Sequence, residues 1–172
     1  MRRMRRRTRL LWFLPAVALA SCEANGPGED EDPEQDGDAM DTTRKSAEET
    51  RELADALLAD AEQALTEVFP GLTWVSDGEA TSTTEDGTCV YRPASRRVDT
   101  YLGREKEDHP LIEEALTEAL AAHGLPEPEP LTGGVGGWLT TSSRGNGLEL
   151  EFRSKGYAEL RVSARSDGPC TG

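Results

Sequence analysis

The chain has 172 residues, with 33 acidic against 19 basic side chains, a formal net charge of −14, three cysteines and two histidines. So acidic a protein lacks the basic footprint that phosphate-backbone binding requires, which excludes a nucleic-acid partner.

The chain begins with a leader. Arg2, Arg3, Arg5, Arg6, Arg7 and Arg9 precede an apolar run over residues 10–20, and Ala20 and Ser21 are small. This is the three-part pattern of a secretory signal peptide, read here over residues 1–21. At about 1.5 Å per helical residue the apolar run covers roughly 17 Å, short of the ~30 Å hydrocarbon core. The segment predicts export, not a membrane span. Arg9 stands where a twin-arginine signal wants an apolar residue, so general secretion is the expected route, with the twin-arginine route left open.

Leu19, Ala20, Ser21 and Cys22 resemble the lipobox of bacterial lipoproteins, an aliphatic residue followed by two small residues and a cysteine. The resemblance implies that the Cys22 thiol receives a diacylglyceryl group, that a dedicated peptidase cuts before it, and that Cys22 becomes the first mature residue. Two acyl chains, at ~0.8 kcal/mol per buried methylene, anchor stably where one is marginal. The implied address is the outer face of the cytoplasmic membrane, with that membrane as a partner through the anchor. The match covers the leader alone and carries no fold; the bland alternative is a cysteine placed by chance beside an ordinary cleavage site. The leader's arginines and the alanine- and glycine-rich acidic composition are similar to those of small lipoproteins from high-GC Gram-positive bacteria.

Loss of the leader removes six arginines, leaving 13 basic residues against 33 acidic ones and a mature charge of about −20. Electrostatic docking on anionic lipid is thereby disfavoured. The acid is concentrated over residues 23–42, which hold nine Asp or Glu, no Lys or Arg, two prolines and three glycines. Such a stretch cannot bury enough surface to fold, so residues 22–42 are expected to be a disordered tether. Within it, Asp32, Glu34, Asp36, Gly37 and Asp38 match positions of a twelve-residue calcium loop. Thr43, however, falls where a bidentate glutamate is needed, and no metal site is predicted.

Residues 43–172 are the size of one ordinary domain able to bury a core. Ser46 with Glu49 can form a capping box. Leu53, Ala54, Leu57, Leu58, Ala61, Leu65 and Val68 then recur at helical spacing until Pro70-Gly71. A second helix is signalled by Asp108 and Pro110, the stripe Leu111, Ile112, Ala115, Leu116, Ala119 and Leu120, and a stop at Gly124 with Leu125 as the hydrophobic cap contact. Strands are predicted over residues 72–77, 88–92 with a continuation toward Tyr101 left open, 138–143, 148–152 and 157–165, with "SDG", "EDG" and "RGNG" as turn signals. The order α-β-β-α-β-β-β predicts an α+β two-layer sandwich: an antiparallel sheet of about five strands with both helices on one face.

With Cys22 lipidated, Cys89 and Cys170 form an even pair outside the cytoplasm, and a disulfide between them is predicted. It requires their Cα atoms to lie within about 7 Å. The alternative of a reactive thiol or metal pair lacks both the spacing and a nearby histidine. His109 and His123 sit at opposite ends of the second helix and cannot share a small site; His123 suits the negative helix terminus. No G-x-S-x-G, H-E-x-x-H, C-x-x-C or G-K-[ST] occurs, and "GGVGGW" (133–138) leads into a strand without the Lys and helix of a phosphate cradle. Trp74, Trp138, Tyr91 and Tyr157 are candidates for a contact surface, with core packing expected for the tryptophans. The sequence therefore nominates no catalytic residue, no metal ligand and no cofactor. It predicts a non-enzymatic binding or accessory module for an envelope or membrane-protein partner, the alternative being an extracytoplasmic hydrolase without a recognisable motif.

Overall fold

The computed structural model describes residues 46–170. The leader, Cys22, the acidic segment and the calcium-loop match lie outside the described residues.

Helix α1 (Ala47–Val68) starts as the capping box predicts. The Glu49 amide donates to Ser46 Oγ at 3.1 Å and the Ser46 amide donates to the Glu49 carboxylate at 2.7 Å. Its stripe of Ala54, Leu57, Leu58, Ala61 and Leu65 is buried, whereas Val68 at the last turn is exposed. Helix α2 (His109–Ala122) is entered through a 3₁₀ turn (Lys106–Asp108), and Asp108 makes no side-chain cap bond. Ile112, Ala115, Leu116, Ala119 and Leu120 are buried and Leu111 is exposed. At its end the Leu125 amide donates to Leu120 O at 3.0 Å and that of Gly124 to Ala121 O at 3.1 Å, with Gly124 at φ +66°. This is a Schellman cap, and it buries Leu125 as the sequence implied.

The sheet is antiparallel and has eight strands among the described residues: β1 (Val75–Asp77), β2 (Thr81–Glu85), β3 (Thr88–Arg92), β4 (Ser95–Val98), β5 (Thr132–Gly133), β6 (Leu139–Gly145), β7 (Leu148–Ser154) and β8 (Ala158–Asp167). The α+β class stands, but the order is one helix, four strands, one helix, four strands, and the five-strand count is corrected. The additions have physical causes. Strand β2 reads TSTTE, with almost every residue exposed, so it has no apolar alternation to betray it. Strands β3 and β4 lie end to end along the ten-residue β8. Tyr91 pairs with Ala164 and Arg96 with Leu160, so five steps on one side face four on the other. The extra residue falls at the break containing Pro93, which has no amide to give to a ladder. β5 is a two-residue pairing on the edge of β6.

Two hairpins use two-residue turns of the positive-φ kind. Asp86-Gly87 (φ +51° and +78°) joins β2 to β3, and Asn146-Gly147 (φ +52° and +79°) joins β6 to β7. Gly147 is obligatory for a second reason: a Cβ there would lie 2.9 Å from Arg165 O.

One core joins the helices to one face of the sheet. Leu148, Leu150 and Phe152 of β7 stand opposite Ala164, Val162 and Leu160 of β8, all buried, and the same cluster includes the inward stripes of α1 and α2. Leu72 and Trp74 pack on it from the segment before β1, with Trp74 Nε1 donating to Thr66 Oγ1 at 3.1 Å. On the same side Arg96 pairs with Glu62 of α1 at 3.1 Å and the Tyr91 hydroxyl meets Asp55 at 3.1 Å.

Candidate functional site

Alternation in β7 and β8 leaves their odd-numbered residues on the face turned away from the helices. Register then decides which charges meet. Glu149 stands opposite Ser163, Glu151 opposite Arg161, Arg153 opposite Glu159, and Glu159 is in turn opposite Arg97 of β4. With Arg92 on β3, Arg144 on β6 and Arg165 on β8, six of the nine arginines between residues 46 and 170 lie on this one face of an acidic domain.

The centre of the face is Glu159. It is 2% exposed, and both its oxygens are used: Oε2 accepts from Arg153 Nε at 2.7 Å and Oε1 from Arg161 Nε at 2.7 Å. Burial alone would push its carboxyl up, but hydrogen bonds from Arg161 and Arg153 outweigh that and hold it below the ordinary glutamate range. A carboxylate fixed in this way is a poor proton donor near neutral pH. A second group has the same form. Glu85 accepts from Arg92 at 3.0 Å and lies 3.9 Å from Arg165, and the Arg92 bond chiefly lowers its carboxyl. Each two-arginine, one-glutamate group carries a surplus positive charge. Between them lies an open depression of about 260 Å³ lined by Arg92, Glu149, Glu151, Arg161, Ser163 and Arg165.

At one end of the face the charges meet aromatic rings. Trp138 and Tyr157 contact edge to face with centroids 5.3 Å apart; the Arg97 guanidinium lies 4.1 Å from the Tyr157 ring and that of Arg153 5.0 Å from Trp138. The expectation that the tryptophans pack the core holds for Trp74 and fails for Trp138, which is one residue out of phase with the inward-facing Leu139. The glycine-rich segment 133–137 borders this pair. The Gly134 amide donates to Trp138 O at 2.5 Å and Lys155 Nζ donates to Gly136 O. The five arginine, aromatic and glutamate partners come from residues 97, 138, 153, 157 and 159, and only long-range register unites them. The signal present in the sequence was the alternation of charge in 149–153 and 159–165.

Of the residues singled out from sequence, Cys89 and Cys170 are joined, with a Cα separation of 4.7 Å. The Cys170 amide donates to Thr84 Oγ1 at 3.1 Å, which pins the tail to β2. The histidines stay apart. His109 Nε2 lies 2.9 Å from Gly103 O, and His123, at the end of α2, lies 2.7 Å from Asp60 of α1. Among the described residues no cluster of three His, Cys, Asp or Glu is spaced to hold a metal, and no helix is long and apolar enough to cross a membrane.

The fold and face thus define a two-helix, antiparallel-sheet domain with one face packed and the other lined with arginines. No family model and no curated protein matches the sequence. Among solved structures, the crystal structure of LppA from Mycobacterium tuberculosis, a protein named as a lipoprotein, is similar with a TM-score of 0.51 and 18% identity, over 67% of this chain and 75% of that one. The likeness is one of fold.

Proposed function

We propose that this protein is a lipid-anchored extracytoplasmic surface module, held by a diacylglyceryl group on Cys22 at the outer face of the cytoplasmic membrane, and that it acts as a non-enzymatic binding or accessory domain for an envelope or membrane partner. The observation that carries the binding role is the open sheet face, where arginines and an aromatic pair gather in a domain that is acidic elsewhere. The lipobox-like Leu19 to Cys22 supports the anchor. A disulfide between Cys89 and Cys170 suits an oxidising compartment. A hydrolase working through carboxylates would need a carboxyl that exchanges protons, and Glu159 is held ionised by two arginines.

Photo-crosslinking in cells tests the binding role. A crosslinking side chain placed at Arg161, on the open face, is expected to capture a discrete partner that the same group at Glu118, on α2, does not capture. Equal capture from both positions, or capture from the helix alone, overturns the assignment of the face.

A further inference from the structure

We infer that the end of the open face formed by Arg97, Trp138, Arg153, Lys155 and Tyr157 binds an anionic carbohydrate; this rests on the reading of the open face as the binding surface and names its ligand class. Three observations carry the inference.

Charge comes first. Residues 46–170 hold 24 acidic side chains against 11 basic ones, yet at this end Arg97, Arg153, Lys155 and Arg161 meet three carboxylates, Asp99, Glu151 and Glu159. The surplus is one positive charge, and Arg97 and Arg161 keep about two fifths of their side chains exposed, at 39% and 46%. Their outer N–H groups are available to carboxylate or phosphate oxygens on a ligand. Away from the open face the domain is acidic, so an anion is directed to this face.

Shape and surface chemistry come next. Trp138 and Tyr157 present ring surface beside a shelf of exposed glycine backbone. A Cβ added at Gly133 or Gly137 would meet nothing within 4 Å, so no neighbouring atom fills that space. Gly136 and Gly137 adopt φ values of +75° and +78°, which favour glycine and keep the shelf free of side chains there. Flat rings next to an open shelf without side chains suit a sugar, which offers C–H faces to the rings and hydroxyls to the Lys155 and arginine N–H groups. The guanidiniums over the rings suit its acidic substituent.

Position is the third observation. The chain arriving from Cys22 enters the domain at α1, whose first turns lie against β2 and β3: Arg51 donates to Ser82 Oγ at 3.4 Å and Asp55 meets the Tyr91 hydroxyl. Tyr157 precedes the other end of β8. From Ala158 to Ser166, the partner of Cys89, eight strand steps cover about 26 Å. The cluster therefore sits at the end of β8 opposite to the one beside the first turns of α1, clear of the start of that helix.

The test uses the full chain, extracted in neutral detergent and titrated against polygalacturonate, poly-glutamate and neutral dextran at low and moderate salt. Binding to polygalacturonate is expected, weakening with salt, at least ten-fold tighter than to poly-glutamate and absent for dextran. The R97Q/K155Q variant, which alters exposed side chains, should lose ten-fold or more, whereas R104Q/K106Q, elsewhere on the surface, should not. Unchanged melting checks that each variant is folded, and Lys155→Gln alone gives a second, milder test. No binding to polygalacturonate, equal binding to poly-glutamate, or indifference to R97Q/K155Q overturns the inference. Any of these leaves the crosslinking result intact, so failure of the ligand class is distinguishable from failure of the face.

Discussion

Replacing Glu159 with alanine should be the most damaging change on the open face. The carboxylate is 2% exposed and satisfies two guanidiniums, so truncation leaves Arg153, itself only 25% exposed, without its main acceptor. Breaking a buried ion pair on one side costs about 3–5 kcal/mol, but Arg161 is 46% exposed and can return to water, which brings the expected loss to about 2–3 kcal/mol. With urea m-values of about 1–3 kcal/mol/M, the midpoint should fall by roughly 1–2 M. Equilibrium unfolding by circular dichroism, across a series of pH values, measures it. The sign is fixed by the direction of the shift. The folded carboxyl titrates below the ordinary value of 4.5, so its stabilisation is complete above that value and is lost as pH falls through the folded pKa. The gap between parent and variant should therefore be widest near neutral pH and close as the pH falls through the titration of the folded carboxyl, below its ordinary value. A loss below about 0.5 kcal/mol, or a gap that widens in acid, refutes the reasoning.

Two further outcomes follow from the fold. Removing the Cys89–Cys170 link with a double alanine substitution frees a loop with a sequence separation of 81, worth up to about 4.5 kcal/mol in the chain-entropy model; melting should fall by several degrees or more, and reductant should lower the parent to match. Gly147→Ala forces a Cβ to 2.9 Å from Arg165 O at φ +79°, so a loss of about 1–3 kcal/mol is expected in the same unfolding assay, larger than for Gly87→Ala, whose added Cβ meets nothing within 4 Å.

Local signals carried the helices and the tight turns. Ser46 and Glu49, the Leu57 to Leu65 stripe, Gly124-Leu125 and Asn146-Gly147 each act within a few residues, so their physics is visible in a short window of sequence. The alternation of Leu148, Leu150 and Phe152 against Leu160, Val162 and Ala164 was equally plain, because one face of each strand is packed and the other is wet. β2 escaped because both its faces are exposed, and the step between β3 and β4 escaped because a bulge is a property of pairing with β8. The open-face cluster was hidden for the same reason. Arg97 meets Glu159 across 62 positions, and Trp138 meets Tyr157 through the register of three strands. An outward Trp138 differs from an inward one only by a one-residue phase, which sequence spacing alone does not fix.

The proposed address of the protein rests on Cys22, and metabolic labelling of the native host with a fatty acid carrying a detectable tag reads it directly. The full chain should acquire label and partition with membranes, and Cys22→Ser should acquire no label while its precursor keeps its leader. Absence of label on the unaltered chain, or label on the serine variant equal to that of the parent, contradicts the account.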